Sequence, residues 1–485
     1  MFRGQPLYRT ADLRALERAS RDVVAEPVLM QRAAAAAWRH LQARWPDAGR
    51  LLVVCGGGNN GGDGHLLAAL AHAAGREATV LVPAGTQPRG EAAEAAWRAW
   101  DGPRRAFDGA LPADADLIVD ALFGIGLTRA PRDEAAALIA AMNAAGRPVL
   151  ALDVPSGLDA DTGAAPGAAV RADATVEFLL PKRGLRTGRG PALAGTVYCE
   201  RLDLPDLLPE LENAARCIAA PELGHWLAPR PRDAHKGDHG HVLAIGGDHG
   251  TGGALALCLR AALRSGAGLV SGLTRREHVP ALLAQQPEIM AHAADAPDAA
   301  PDLLTRADVV AVGPGLGRGA WGRAWFARAL AAGRPLVVDA DALNLLAEAP
   351  RRLDDAVLTP HPGEAARLLG IGTAEVQADR FAAAAALAER YGSVVVLKGS
   401  GSLVAAPGRT PRVVAAGNPG MGSGGMGDVL TGVIAALRGQ GLDAFEAASC
   451  GALLHAAAAD LAAADGERGL AASDLLPTLR RLANP

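Results

Sequence analysis

The chain has little of what would mark it for an oxidising exterior, a membrane or nucleic acid. Its five cysteines (Cys55, Cys199, Cys217, Cys258 and Cys450) are far apart, odd in number and include no CxxC pair. That argues against a disulfide framework and a cysteine-based zinc site, and it predicts a reducing compartment, the cytoplasm. Aromatic residues fill only 4% of the 485 positions although half are hydrophobic, so the apolar content rests on Ala, Leu and Val. Such a balance suits Ala-rich helices packed on Val/Leu strands. The formal net charge is −4, and without a basic excess to neutralise phosphates nucleic acid is not an expected partner. Near the start, charges (Arg14, Glu17, Arg18, Arg21, Asp22) interrupt the apolar residues. Neither a signal peptide nor a membrane span is expected from that pattern.

What is present is length and rhythm. At about 100–200 residues per domain, a chain of this size predicts two domains. Short Val/Leu/Ile runs at 51–55, 79–82, 117–120, 149–153 and 174–179, then at 241–245, 309–312, 336–339, 356–359 and 394–398, each close on a turn and precede an Ala-rich stretch. This is the βαβ rhythm of mostly parallel sheets, hence an α/β protein. Between the two series lie Cys217, Pro221, Trp226, Pro229 and Pro231, followed by the charged turn 233–238. The prolines predict a linker there, with domains at 1–220 and 221–485. The series share no repeated motif, so they predict two different α/β domains.

In the first half, strand 51–54 runs directly into CGGGNNGGDG (55–64), and an apolar helix is expected from His65. Glycines let backbone N–H groups approach a phosphate at a helix N-terminus. Gly56, Gly58 and Gly61 satisfy GxGxxG, but the next strand ends Leu81-Val82-Pro83, without the acid that a redox dinucleotide fold uses to hold the ribose. Asp120 and Asp153 close two further strands and lead into FGIG and PSGLD. A lone strand-end aspartate is commonly a helix cap, whereas three polar strand ends on one sheet edge point to a ligand.

These segments, GGGNNGGDG, DALFGIGLTR and LDVPSGLDADTG, resemble the NAD(P)HX epimerase domain of the YjeF N-terminal type over about residues 10–215. The resemblance implies a Rossmann-like α/β/α sandwich. It assigns the hydrated dinucleotide to Asn59, Asn60, Gly61, Gly62 and Asp63, to Gly124, Ile125, Gly126, Leu127, Thr128, Arg129 and Ala130, and to Asp153. It also implies a potassium ion at Asn60, Asp120 and Ser156, with Asp63 and Asp120 as catalytic acids.

The second half opens with HKGD (235–238), a strand, and GGDHGTGGA (246–254). His235, His239, His241 and His249 lack the spacing of a zinc site. GPGLG, VDADALN and LTPHPGE each follow a strand, and GNPGMGSGGMGD (417–428) precedes a helix expected from Val429. There the backbone N–H groups can form an anion hole, and Asp428 is the acid able to take a proton, its ionised form favoured by the helix dipole. No GxxxxGK[ST] occurs, so a nucleotide would use this glycine loop.

HKGD, GPGLG, LTPHPGE, LKGSGS and NPGMGSGGMGDVLTG are similar to the ribokinase-like ADP-dependent NAD(P)HX dehydratase over about residues 222–480. The similarity assigns Ala254, Gly317, His361 and Asp428 to the hydrated dinucleotide. It assigns Lys398, Gly399, Ser400, Gly401, Ser402 and Gly427 to the adenine nucleotide, with ADP as co-substrate alongside Mg²⁺ and Asp428 as the catalytic base. The implied activity is repair of hydrated NADH and NADPH (NADHX, NADPHX) by a cytoplasmic homo-oligomer. A ribokinase-like kinase for a small alcohol would share the glycine loop but would not need the first half. A purely dinucleotide-binding scaffold would not need Asp63, Asp120, Asp153 and Ser156 together.

Overall fold

A computed structural model of the chain describes residues 4–127, 129–204, 213–296 and 301–484. Contacts divide it into two compact units, Pro6–Ala215 and Arg216–Pro485, the second joined by Gly4 and Gln5. Among the described residues no helix is long and apolar enough to cross a membrane.

Strand β1 (Gln5–Leu7) comes first in the chain. The first unit is then built on β2 (Arg50–Cys55), β3 (Glu77–Val82), β4 (Arg104–Ala106), β5 (Leu117–Ala121), β6 (Val149–Leu152), β7 (Ala174–Phe178) and β8 (Thr196–Glu200). They form one parallel sheet in the order β4-β3-β2-β5-β6-β7-β8. Strands β2, β5, β6 and β7 are buried almost throughout, as crossover helices require of a sheet covered on both faces. The order reverses between β2 and β5, and beyond the carboxyl ends of such a pair the loops diverge to leave a crevice.

The second unit contains β9 (Ala215–Ile218), β10 (His241–Ile245), β11 (Leu269–Thr274), β12 (Met290–Ala293), β13 (Val309–Val312), β14 (Leu336–Val338), β15 (Ala356–Leu358), β16 (Val394–Leu397), β17 (Leu403–Ala405) and β18 (Arg412–Val414). The eleven-stranded sheet runs β1-β9-β18-β17-β16-β15-β14-β13-β10-β11-β12. It is parallel from β12 to β16, and β17 is antiparallel to both its neighbours. Its reversal point lies between β10 and β13.

The stretch read as a linker is structured. Its first residues form β9, paired in parallel with β18, and Cys217 is buried there. A 3₁₀ turn, Ala220–His225, follows with Leu223 in the core, and the Trp226 indole donates to Glu446 at 2.7 Å. The prolines begin just beyond β9, so they limit the strand without preventing it. Two helices also begin earlier than their glycines suggest. Helix Asn59–Ala73 includes the whole NNGGDG segment, and helix Met426–Gly439 includes Gly427 and Asp428. At Gly61 the reason is space, because a Cβ there would lie 1.9 Å from the Gly56 carbonyl oxygen.

Helix Met426–Gly439 packs closely on helix Gly252–Arg264 across Gly432, where a Cβ would lie 2.1 Å from the Cys258 carbonyl oxygen. Backbone cannot yield as a flexible side chain can. Gly432→Ala should therefore destabilise the protein by about 1–3 kcal/mol, as overpacking in a filled core does. Urea unfolding compared with the parent chain measures this; an unchanged midpoint would show that the helices separate freely.

Candidate functional site

In the first unit a cavity of ≈ 350 Å³ opens beyond β2, β5 and β6. Of the residues expected from sequence, Asn59, Asn60, Asp63, Gly124, Ile125, Gly126 and Asp153 line it. Gly124 brings the set together, since a Cβ there would meet Asp153 Oδ2 at 2.9 Å and Asn60 Cβ at 3.3 Å. Gly61 and Gly62 lie behind it, Gly62 against Met30. Leu127, Arg129 and Ala130 do not line the cavity, and Thr128 falls outside the described residues.

The acids here differ sharply in their bonding. Asp120, 0% exposed, accepts from Ser156 N at 2.7 Å, Ser156 Oγ at 2.6 Å and Leu122 N at 3.2 Å. Burial pushes its carboxyl up to about 6 in spite of those donors. Neither Asp120 nor Ser156 lines the cavity, so the structure gives Asp120 a bonded, internal place and not that of a carboxyl facing a substrate. Asp153, held at φ = 66°, pairs with Lys182 Nζ at 2.8 Å, and Lys182 is itself 0% exposed. Asp63 carries no such partner, and burial together with the neighbouring Asp153 and Glu17 raises its carboxyl well above the usual range. Among the described residues, both amide atoms of Asn60, 9% exposed, lack a hydrogen-bond partner.

In the second unit, the ends of β13, β14, β15 and β16 meet at Asp339. Its carboxylate, 1% exposed, accepts from Lys398 Nζ at 2.9 Å, Thr359 Oγ1 at 2.8 Å and Thr431 Oγ1 at 2.9 Å. Lys398 and these donors hold Asp339 below the ordinary aspartate range against the opposing effect of burial. Gly427 sits over this pair, with its would-be Cβ 3.1 Å from Lys398 Nζ and 3.3 Å from Asp339 Oδ2.

Asp428 is the third residue of its helix, where amide dipoles favour the charged form. The opposite shift is found: burial and the nearby Asp339 carboxylate push it up to about 7, Lys398 only partly compensating. Burial and neighbouring carboxylates thus work against the ionised form that the helix N-terminus was expected to favour. Asp341, another charge on Asp428, accepts from Gly317 N at 2.9 Å, tying the GPGLG turn to the same place. His361 Nδ1 accepts from Gly363 N at 3.0 Å, and burial and Lys398 lower its pKa, keeping an acceptor available. Ala254 lies in the first turn of helix Gly252–Arg264, and the 398–402 turn is backed by the buried Arg380, which donates to the Leu397 and Lys398 carbonyls.

Sequence reasoning passed over Lys182, Asp339 and Arg380. Asp339 had a signal, since it closes a strand as Asp120 does. Lys182 had none, lying outside every motif.

Comparison with known proteins gives a match for each unit. The NAD(P)H-hydrate dehydratase family profile matches residues 242–481, and that of the YjeF-related protein N-terminus matches residues 26–184. The bifunctional NAD(P)H-hydrate repair enzyme Nnr of Escherichia coli K12 is 47% identical, the alignment covering 98% of this chain and 93% of that protein. The chain belongs to the bifunctional NAD(P)H-hydrate repair enzyme family. The member from Coxiella burnetii is 48% identical, over 99% of both chains. A ribokinase-like superfamily protein of Enterococcus faecalis superposes with a TM-score of 0.53 at 28% identity, over 57% of this chain and all of its own. The expected fold class, two α/β domains with the second ribokinase-like, is therefore met.

In this repair-family architecture Lys398 neutralises a buried carboxylate as well as facing the glycine loop. Lys398→Met would leave Asp339 without its cation, and removing one partner of a buried pair destabilises by about 3–5 kcal/mol. Because the folded-state pKa of Asp339 is depressed, the parent's advantage is complete above the ordinary aspartate range and fades in more acidic solution. Denaturant unfolding of both proteins at neutral and at acid pH checks this; equal stabilities at neutral pH would refute it.

Proposed function

We propose that the first unit interconverts the R and S epimers of NAD(P)HX and that the second dehydrates the S epimer with ADP, yielding NAD(P)H, AMP and phosphate. One observation carries the second half of this reading: Asp428, free of any partner among the described residues, has its pKa pushed up to about 7 beside a glycine turn held by Lys398 and Asp339. A base works best when its pKa lies near the operating pH. The C6 hydroxyl of the substrate gives its proton to Asp428 as its oxygen attacks the β-phosphorus of ADP, and AMP departs. The ring nitrogen then expels phosphate, a far better leaving group than hydroxide, and loss of the C5 proton restores the dihydropyridine. Backbone N–H groups of the 420–427 turn stabilise the transferring phosphoryl group.

In this reading Ala254, Gly317 and His361 hold the hydrated ring, and Lys398–Ser402 with Gly427 hold the adenine nucleotide. Among the described residues no three His, Cys, Asp or Glu are grouped as for a metal, which suits Mg²⁺ brought in on the diphosphate. At the first site, the unpartnered amide oxygen of Asn60 and the oxygens of Asp120 and Ser156 are hard donors of the kind that would hold a cation such as K⁺. The bound ion would supply positive charge beside the buried Asp120 carboxylate. The reading also carries self-association and a cytoplasmic location, which light scattering and fractionation would check.

The direct test incubates the pure protein with mixed epimers, with and without ADP, and follows the dihydronicotinamide absorbance. Recovery of both epimers with ADP and none without it is expected; ADP-independent recovery would overturn the reading. Asp428→Asn keeps shape and hydrogen bonding but cannot accept the proton. ADP affinity should persist while the dehydration rate falls about 10²–10⁴-fold. In the parent, kcat/KM should rise with pH and level off above about 7, as Asp428 loses its proton. A rate within about threefold of the parent for the Asn variant would transfer the role elsewhere. Asp120→Ala should abolish the difference in epimerisation rate between K⁺ and Na⁺ buffers, leaving S-epimer dehydration intact; a persisting K⁺ response would remove Asp120 from the ion site.

A further inference from the structure

Epimerisation at C6 requires two proton transfers, one to the departing hydroxyl and one from the returning water, and five acids lie at this site: Glu17, Glu26, Asp63 and Asp153 line the cavity of the first unit, and Asp120 is buried at the strand end beneath it. Three are already bonded: Asp120 by Ser156 and Leu122, Asp153 by Lys182 and the Ile125 amide, and Glu26 by Asn59 and Arg21. The two whose carboxyls have no hydrogen-bond or ion-pair partner among the described residues are Asp63 and Glu17, and both line the cavity. They arrive from different helices, Glu17 from Thr10–Ser20 and Asp63 from Asn59–Ala73.

Glu17 has no evident structural duty. Among the described residues it is neither a cap of its helix nor a member of an ion pair, although Arg14, Arg21 and Arg89 line the same cavity. Its carboxyl is raised by burial and then by Asp153, with Glu26 adding to the effect and Lys182 and Arg14 opposing it. Asp63 is raised as well, with Glu17 among the causes, so the surroundings favour a proton on this pair. The unpartnered Asn60 amide, nine-tenths buried on the cavity wall, independently marks this place as one that receives a ligand.

We infer that Glu17 is a catalytic residue of the epimerase site, forming with Asp63 the acid–base pair that exchanges water at C6. The inference rests on the reading that this cavity takes the hydrated dinucleotide. The protonated member gives its proton to the C6 hydroxyl, the C6–O bond breaks with its electron pair leaving on water, and the ring nitrogen lone pair forms the C=N⁺ of an iminium. A water then attacks C6 from the other face through its oxygen lone pair and yields a proton to the ionised member. The pair ends with its proton exchanged between partners, ready for the reverse passage, and no oxidant or nucleotide is consumed.

The experiment uses the full-length protein without ADP, starting from one purified epimer and separating the two by chromatography, in H₂¹⁸O. The parent should interconvert the epimers with ¹⁸O entering at C6. Glu17→Gln should lower kcat by about 10²–10⁴-fold with KM little changed, and Glu17→Asp should recover part of that loss. Thermal unfolding of each variant checks that it is folded. A Gln variant within about threefold of the parent kcat, or a loss confined to KM, would overturn the role of Glu17, as would an Asp variant no better than Gln. A parent that does not interconvert epimers would instead remove the reading of the cavity, and this inference with it.

Discussion

A single buried carboxylate organises the dehydratase half. Asp339 accepts from a lysine at the end of β16, a threonine at the end of β15 and a threonine on helix Met426–Gly439. An ionised group so deep is tolerated only when its acceptor positions are filled and a cation lies against it, and both conditions are met. Meeting them fixes three separate pieces of chain at one point. The glycine turn, Lys398 and Asp428 are therefore positioned by the same interaction that keeps Asp339 charged, and the Asp339 charge in turn raises the pKa of Asp428. Stability and the protonation of Asp428 are linked through one residue.

The epimerase half uses the same device with a different outcome. Asp153, strained into a positive φ, is held by Lys182, and Lys182 also donates to the Phe178 carbonyl at 2.9 Å. A backbone conformation that is unfavourable for a non-glycine residue persists only where its surroundings over-determine it. Here the buried lysine does so, and the aspartate is consequently a fixed wall of the cavity. Asp63 and Glu17, lacking such anchors, remain free to change protonation state.

Much of this was legible in the sequence, because parallel sheets announce themselves. Strands buried on both faces are short continuous apolar runs, and ten of the eighteen strands among the described residues stand out that way. Those missed had weaker signals: β9 lies beside prolines, β17 and β18 are three residues each, and β11 contains Ser271 and Gly272. Glycines obscured two helix starts, since in NNGGDG and GGMGD they serve close backbone approach and not chain reversal. For the sites, motifs located the loops, but the bonding state of each acid was invisible. Asp120, Asp153 and Asp63 look alike as letters. Only packing distinguishes one filled by amides, one paired with a distant lysine, and one left open.

That distinction also explains why the two halves differ in what they consume. A site furnished with carboxyls that exchange protons can only equilibrate its substrates, because every step it assists in one direction it assists equally in reverse. A site with a base facing a nucleotide couples C–O cleavage to breaking a phosphoanhydride, and its reaction runs one way. With both in one chain, removal of one epimer by the second site continually displaces the equilibrium maintained by the first. The reversible half therefore needs no energy source of its own, and carboxyls able to exchange protons with the substrate are chemically sufficient for it.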